Sequence, residues 1–191
     1  MTQVGHSITG AALGALCLPQ SASTKRTVSH VMVFVLLSNI PDLPLKNWSH
    51  EKYHVSHSIF VNLVLIVTAI VILAYLRDVR TRIGGWPAMV SGTIAWLSHL
   101  LLDSFYNHGN GIAIFWPLSD ARLVLPIPWF STVTSLPPPI TPEMIRIFLI
   151  EFVCYLPFLL LAVLIRKTEV IRRTARIIVK VVNTWSDASS G

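Results

Sequence analysis

Apolar residues fall into five runs separated by short polar stretches, and these runs are too long and too unbroken for strands. Ile59–Leu76 and Ile145–Ile165 are almost entirely Leu, Ile, Val, Phe and Ala. A helix of about 20 such residues crosses the ~30 Å hydrocarbon core of a bilayer. Trp86–Leu102 has the length but carries Ser91, Ser98 and His99. Ile8–Leu18 and Val28–Ile40 are shorter; the pattern places them inside a bundle and leaves their full crossing open. Beyond Ile165, Val170, Ile177, Val181 and Trp185 alternate with Arg and Lys, as in an amphipathic helix lying on anionic lipid. The expected architecture is all-α. It is a polytopic membrane helix bundle of about five hydrophobic helices over residues 1–165, followed by a basic amphipathic cytoplasmic tail over 166–191.

Composition supports this reading and narrows the function. Hydrophobic residues make up 53% of the 191 and charged residues 13%, about half the usual ~25% charged share. Mean hydropathy is +0.63. A soluble nucleic-acid binder, an ordinary cytosolic enzyme and a disordered chain are excluded. The formal charge of +6 is explained by topology. Lys25, Arg26, Arg77, Arg80, Arg82 and the six basic residues from Arg166 to Lys180 fall on one side of the five runs. Those are 11 of the 15 Lys and Arg, and the positive-inside rule makes that side cytoplasmic. The N-terminus is then outside and the C-terminus inside, with lipid rather than nucleic acid as the partner. No Lys or Arg precedes the first run, unlike a secretory signal. Cys17 and Cys154 lie singly in apolar runs and read as free buried thiols.

The histidines and carboxylates follow that sidedness, although it was assigned from Lys and Arg alone. His6 opens the first run, Asp42 closes the second, His57 opens the third, and His99 and Asp103 close the fourth. All five fall on the outer side; His50, His54 and His108 lie in the outer loops, and His30 alone falls on the basic side. His99 and Asp103 are four apart, so a helix points both from one face. Imidazole and carboxylate together suit zinc, manganese or iron. His6, Gly10 and Gly14 share another face, where small residues let a neighbouring helix come close. Pro41 ends the second helix and fixes the place of Asp42. Ionisable groups in apolar segments are costly and mark function by default. The second outer segment, Ser104–Glu143, carries seven of the 12 prolines and has the length of a lid or binding loop.

These pieces, in this order, resemble the YdjM-type membrane-bound metal-dependent hydrolases. The resemblance runs from Gly5-His6 through Pro41-Asp42, Ser56-His57-Ser58 and Ser98-His99-Leu100-Leu101-Leu102-Asp103 to Gly111 and Phe115-Trp116-Pro117-Leu118-Ser119. It implies a distant similarity to zinc-dependent phospholipases C, with His99, Asp103 and His108 in the order of their His-x3-Asp helix and following His. No His follows His108, so their later His-x3-Glu is absent, and one or two ions are implied rather than three.

The expectation is therefore a metallohydrolase of the cytoplasmic (inner) membrane that cleaves a lipid or lipid-linked phosphoester at the outer face. The expected metal ligands are His6, Asp42, His57, His99 and Asp103, with His54 and His108 as additional candidates. Asp42 is either a bridging ligand or the catalytic base. The cofactor is a divalent metal, zinc first and manganese or iron next. Two other readings use the same residues. A metal or proton transporter would need polar groups through the midplane, and the inner halves of the helices offer little beyond Ser29, His30 and Glu151. A haem-binding membrane protein would use histidines on facing helices.

Overall fold

The structure, a computed structural model, describes residues 2–17, 24–48, 52–106, 111–125, 127, 130–131 and 140–189, the stretch beyond 168 by backbone alone. Every regular element among the described residues is a helix. The helices are α1 (Gln3–Cys17), α2 (Thr24–Ser38), α3 (Tyr53–Ser56), α4 (Ile59–Tyr75), α5 (Arg77–Ile83), α6 (Gly85–Asp103) and α7 (Pro142–Ser189). The one β-type contact among them is an isolated antiparallel bridge, Ile112 to Leu123.

Each expected apolar run becomes a helix, but their lengths differ from a uniform bundle of spans. Pro142–Thr168 is the one helix among the described residues long and apolar enough to cross a membrane outright, with a mean hydropathy of 2.6. α4 qualifies only together with α5, and the two are bent by 107° at the break. At 15 residues each, α1 and α2 are about 22 Å long, short of a ~30 Å core. The backbone of α7 continues through residue 165 without a break, so the basic tail extends the last apolar helix.

α1 is the hub. Its Ala12 and Ala15 pack on Ala162 and Leu159 of α7, and its glycines face α2. A Cβ on Gly10 would stand 2.6 Å from the Phe34 carbonyl oxygen, and one on Gly14 would stand 3.0 Å from Phe34 Cβ. The backbones therefore approach because no side chain intervenes, and Ser38 Oγ donates to the His6 carbonyl at 2.8 Å. Gly10→Ala is expected to force the two helices apart and to cost about 1–3 kcal/mol, as overpacking does. Unfolding titrations in detergent would register this, and an unchanged midpoint would contradict the close approach.

The start of α1 is satisfied by the far end of the chain. Glu151 of α7 accepts from the backbone N–H of Thr2 at 2.8 Å and of Gly5 at 3.2 Å, and the Thr2 hydroxyl donates to the same carboxylate. Helix N-termini carry unpaired N–H groups and partial positive charge, which accounts for a carboxylate in an apolar run.

The outward faces are apolar. Val64, Val67 and Ile72 of α4 and Val153, Phe158 and Leu164 of α7 are each more than half exposed. A surface of this kind suits lipid rather than water. At the His57 end, residues of the proline-rich segment are drawn in. Ile59 N–H donates to the Ile114 carbonyl at 2.8 Å, Ser58 Oγ donates to the Trp116 carbonyl, and Ile112 and Ala113 are buried.

Candidate metal centre

Three segments deliver the site. α6 presents His99 and Asp103 one turn apart, and both are buried. Beyond α2, a 3-10 turn, Ile40–Asp42, starts on Pro41 and ends on Asp42. Trp48 Nε1 holds that turn by donating to the Ile40 carbonyl at 2.9 Å. His57 sits between α3 and α4, just before Ser58, whose hydroxyl accepts from Val61 N–H and caps α4. Asn62 clamps this junction by donating to the Ser56 and Ser58 carbonyls, each at 2.8 Å. Trp96 Nε1 of α6 donates to Asn62 Oδ1 at 2.7 Å, tying the His57 turn to the helix that carries His99.

Asp42, His57, His99 and Asp103 converge, with one ligand atom from each lying within 4.8 Å of all the others. His57 Nε2 is 3.0 Å from Asp103 Oδ2 and 3.5 Å from Asp42 Oδ1. His99 Nε2 is 3.4 Å from Asp103 Oδ2 and 3.8 Å from Asp42 Oδ1. The two Nε2 atoms are 3.2 Å apart. Ligands about 2.0–2.1 Å from a zinc ion at tetrahedral angles are about 3.3 Å from one another, so these separations fit one ion.

The other ring nitrogens decide what the cluster presents. His99 Nδ1 is 2.8 Å from the Ser38 carbonyl oxygen, which can only accept, so Nδ1 carries a proton and, in the neutral ring, Nε2 offers a lone pair. His57 Nδ1 stands 3.1 Å from the Tyr53 carbonyl oxygen and 2.8 Å from Ser56 Oγ; donation to that carbonyl leaves its Nε2 unprotonated too. Two imidazole lone pairs and two carboxylates thus face one another. With both rings neutral and both carboxylates ionised the set carries a charge of about −2, which a divalent cation among them would offset. These four residues could hold a metal ion.

The remaining candidates fall differently. His6 is fully buried, and its Nε2 is 3.1 Å from Asp103 Oδ1, the carboxylate oxygen other than the one facing His57 and His99. Its ring stacks on His99 with centroids 3.6 Å apart. It therefore reaches the centre through Asp103 and is not among the four whose ligand atoms converge. His54 is turned edge-on to Trp116 at 5.1 Å. His108 and His50 lie outside the described residues. His30 is midway along α2, beside Phe34.

Tyr53 is a site residue that spacing did not single out. Its hydroxyl donates to Asp103 Oδ2 at 3.3 Å, and its ring stacks on His57 with centroids 3.7 Å apart. Burial pushes its pKa up, and the neighbouring Asp103 and Asp42 charges push it further, so it remains a phenol and a donor. Its i, i+4 relation to His57 is the one signal the sequence held. Partners that orient a ligating carboxylate are worth about 10–100-fold in metal affinity. Tyr53→Phe is expected to weaken metal binding within that range while leaving the fold intact, as a competitive chelator titration would measure. An unchanged affinity would remove Tyr53 from the site.

Comparison with known proteins adds the family. The family model described as YdjM inner membrane protein matches residues 1–170, and the chain belongs to that family. No curated protein and no solved structure matches it.

Proposed function

We propose that this member of the YdjM inner membrane protein family is a multi-pass, metal-dependent hydrolase that cleaves a phosphoester of a lipid or lipid-linked substrate at the outer face of the membrane. The observation that supports this most is the buried convergence of Asp42, His57, His99 and Asp103, whose atoms all accept and whose charge matches a divalent ion. His57, His99 and Asp103 would hold the ion, zinc by donor type, with His6 and Tyr53 orienting Asp103. When bound, the ion supplies a Lewis acid for the phosphoryl oxygen and lowers the pKa of a coordinated water. Asp42 is the member of the four with some solvent exposure, 11% of its side chain, and is placed to take the proton of an attacking water. A helix-end position for the site suits a headgroup better than an acyl chain, and the Lys and Arg distribution supports an N-terminus outside and a C-terminus in the cytoplasm.

The test uses the purified full chain loaded with zinc. Glycerophospholipids and polyprenyl phosphates are presented in mixed micelles, and water-soluble phosphoryl products are measured before and after chelation. Metal-dependent release supports the reading; no release from either class overturns it. For the orientation, single cysteines at Ser119 and at Asp78, in a variant lacking Cys17 and Cys154, are labelled with an impermeant thiol reagent. Ser119 should react in intact spheroplasts and Asp78 only after lysis. The reverse pattern would place the centre on the cytoplasmic side.

A further inference from the structure

A cavity of about 320 Å³ lies between α2, α4 and α6, running from Arg26 and Arg82 at the end opposite the metal centre to Leu37 and Trp96 on the centre's side. Helix direction separates the two ends. α2 has Arg26 near its start, His30 midway and Ser38, bonded to His99, at its finish. α4 begins beside His57, with Leu73 near its finish. α6 runs from Met89 toward His99 and Asp103. From Arg26 to Ser38 an α-helix rises about 18 Å. Val33, Phe34, Ile66, Ile70, Met89 and Trp96 make apolar walls, while Arg26 and Arg82 line the basic end.

We propose that this cavity binds an anionic phospholipid from the leaflet at the basic end, with an acyl chain between α2, α4 and α6 and the phosphate at Arg26 and Arg82. Charge complementarity selects the occupant: the apolar walls would take any acyl chain, but two arginines lining one end favour an anionic headgroup. The fold itself builds that rim. α4 ends at Tyr75, and the 107° bend turns α5 across the end of the bundle. Arg82 thereby returns to α2, where its carbonyl accepts from Arg26 Nη2 at 3.1 Å. His30, which also lines the cavity, has a buried Nε2 with no hydrogen-bond partner among the described residues. Arg80 is engaged with Trp86 and the Ala74 carbonyl. The site is independent of the hydrolase reading, since no metal ligand lines it.

Native mass spectrometry of the full chain, released from vesicles of equimolar phosphatidylglycerol and phosphatidylcholine, tests the proposal. The expected result is one retained phosphatidylglycerol in preference to phosphatidylcholine. Arg82→Gln leaves the carbonyl that holds Arg26 in place and should lower that preference about fivefold, the share of one interfacial basic residue. Ala69→Phe, which fills the apolar wall, should abolish retention of both lipids. Equal retention of the two lipids by the wild type, or a preference that survives Arg82→Gln, would overturn the proposal. The wild-type comparison needs no variant to fold.

Discussion

Replacing His99 with alanine is expected to empty the metal centre and to abolish metal-dependent hydrolysis. His99 Nε2 lies within 3.8 Å of three other ligand atoms, and its Nδ1–H to Ser38 fixes which nitrogen faces them. The substitution deletes one of four converging donors and removes the ring on which His6 stacks. Loss of a partner that merely orients a ligand costs about 10–100-fold in affinity, so loss of a ligand should exceed the upper figure. His54→Ala is the matched control: that ring is turned to Trp116, and its removal should leave metal content unchanged. Elemental analysis of protein purified without chelators reads both. Wild-type metal content in His99→Ala would refute the assignment of the centre, whatever happened to activity.

The parts of this centre that spacing reveals are those set by local geometry. His99 and Asp103 sit in an uninterrupted helix, so their separation of four residues determines their relation. Pro41 ends α2 and leaves Asp42 on the next turn. The shared face of His6, Gly10 and Gly14 is likewise intrinsic to α1, and the near-contact of Gly10 with Phe34 follows from it. What the sequence hides is set by contacts between distant segments or by elements too short to show a period. α3 has four residues; His57 follows its last turn while His54 lies within it, so their spacing does not hold them on one face. The cap that Glu151 places on α1 joins residues 149 apart. The segment from Arg77 to Ile83 reads as a basic loop, yet it is helical, and Gly84 at a φ of 109° ends it. That turn accepts the left-handed conformation because glycine has no Cβ. Number of spans was the least legible property, because composition reports which segments are apolar and not how far each reaches across the bundle.

Stripping the metal from the wild type is expected to lower its stability, and Asp42→Asn is expected to raise the stability of the stripped protein. Without the ion, the lone pairs of His57 and His99 and the carboxylates of Asp42 and Asp103 face one another at 3.0–3.8 Å, nearly all of it away from water. A single proton captured by the cluster offsets only half of a charge of about −2. Zinc at about 1,000 times its dissociation constant would restore about 4 kcal/mol. In Asp42→Asn one charge is gone, and the amide Nδ2 can donate toward the His57 and His99 lone pairs, which lack any donor on that side. Satisfying buried acceptors is worth about 1–3 kcal/mol, so the stripped variant should unfold later than the stripped wild type. Its response to zinc should be smaller, because the set around the ion has lost one of its two negative charges. The two proteins would then exchange rank when zinc is added: the variant is more stable without the ion and less stable with it. Unfolding curves with and without zinc give all four values. A stripped wild type as stable as the loaded protein, together with a destabilised Asp42→Asn, would mean that the four residues are held by packing alone and that no cation belongs between them.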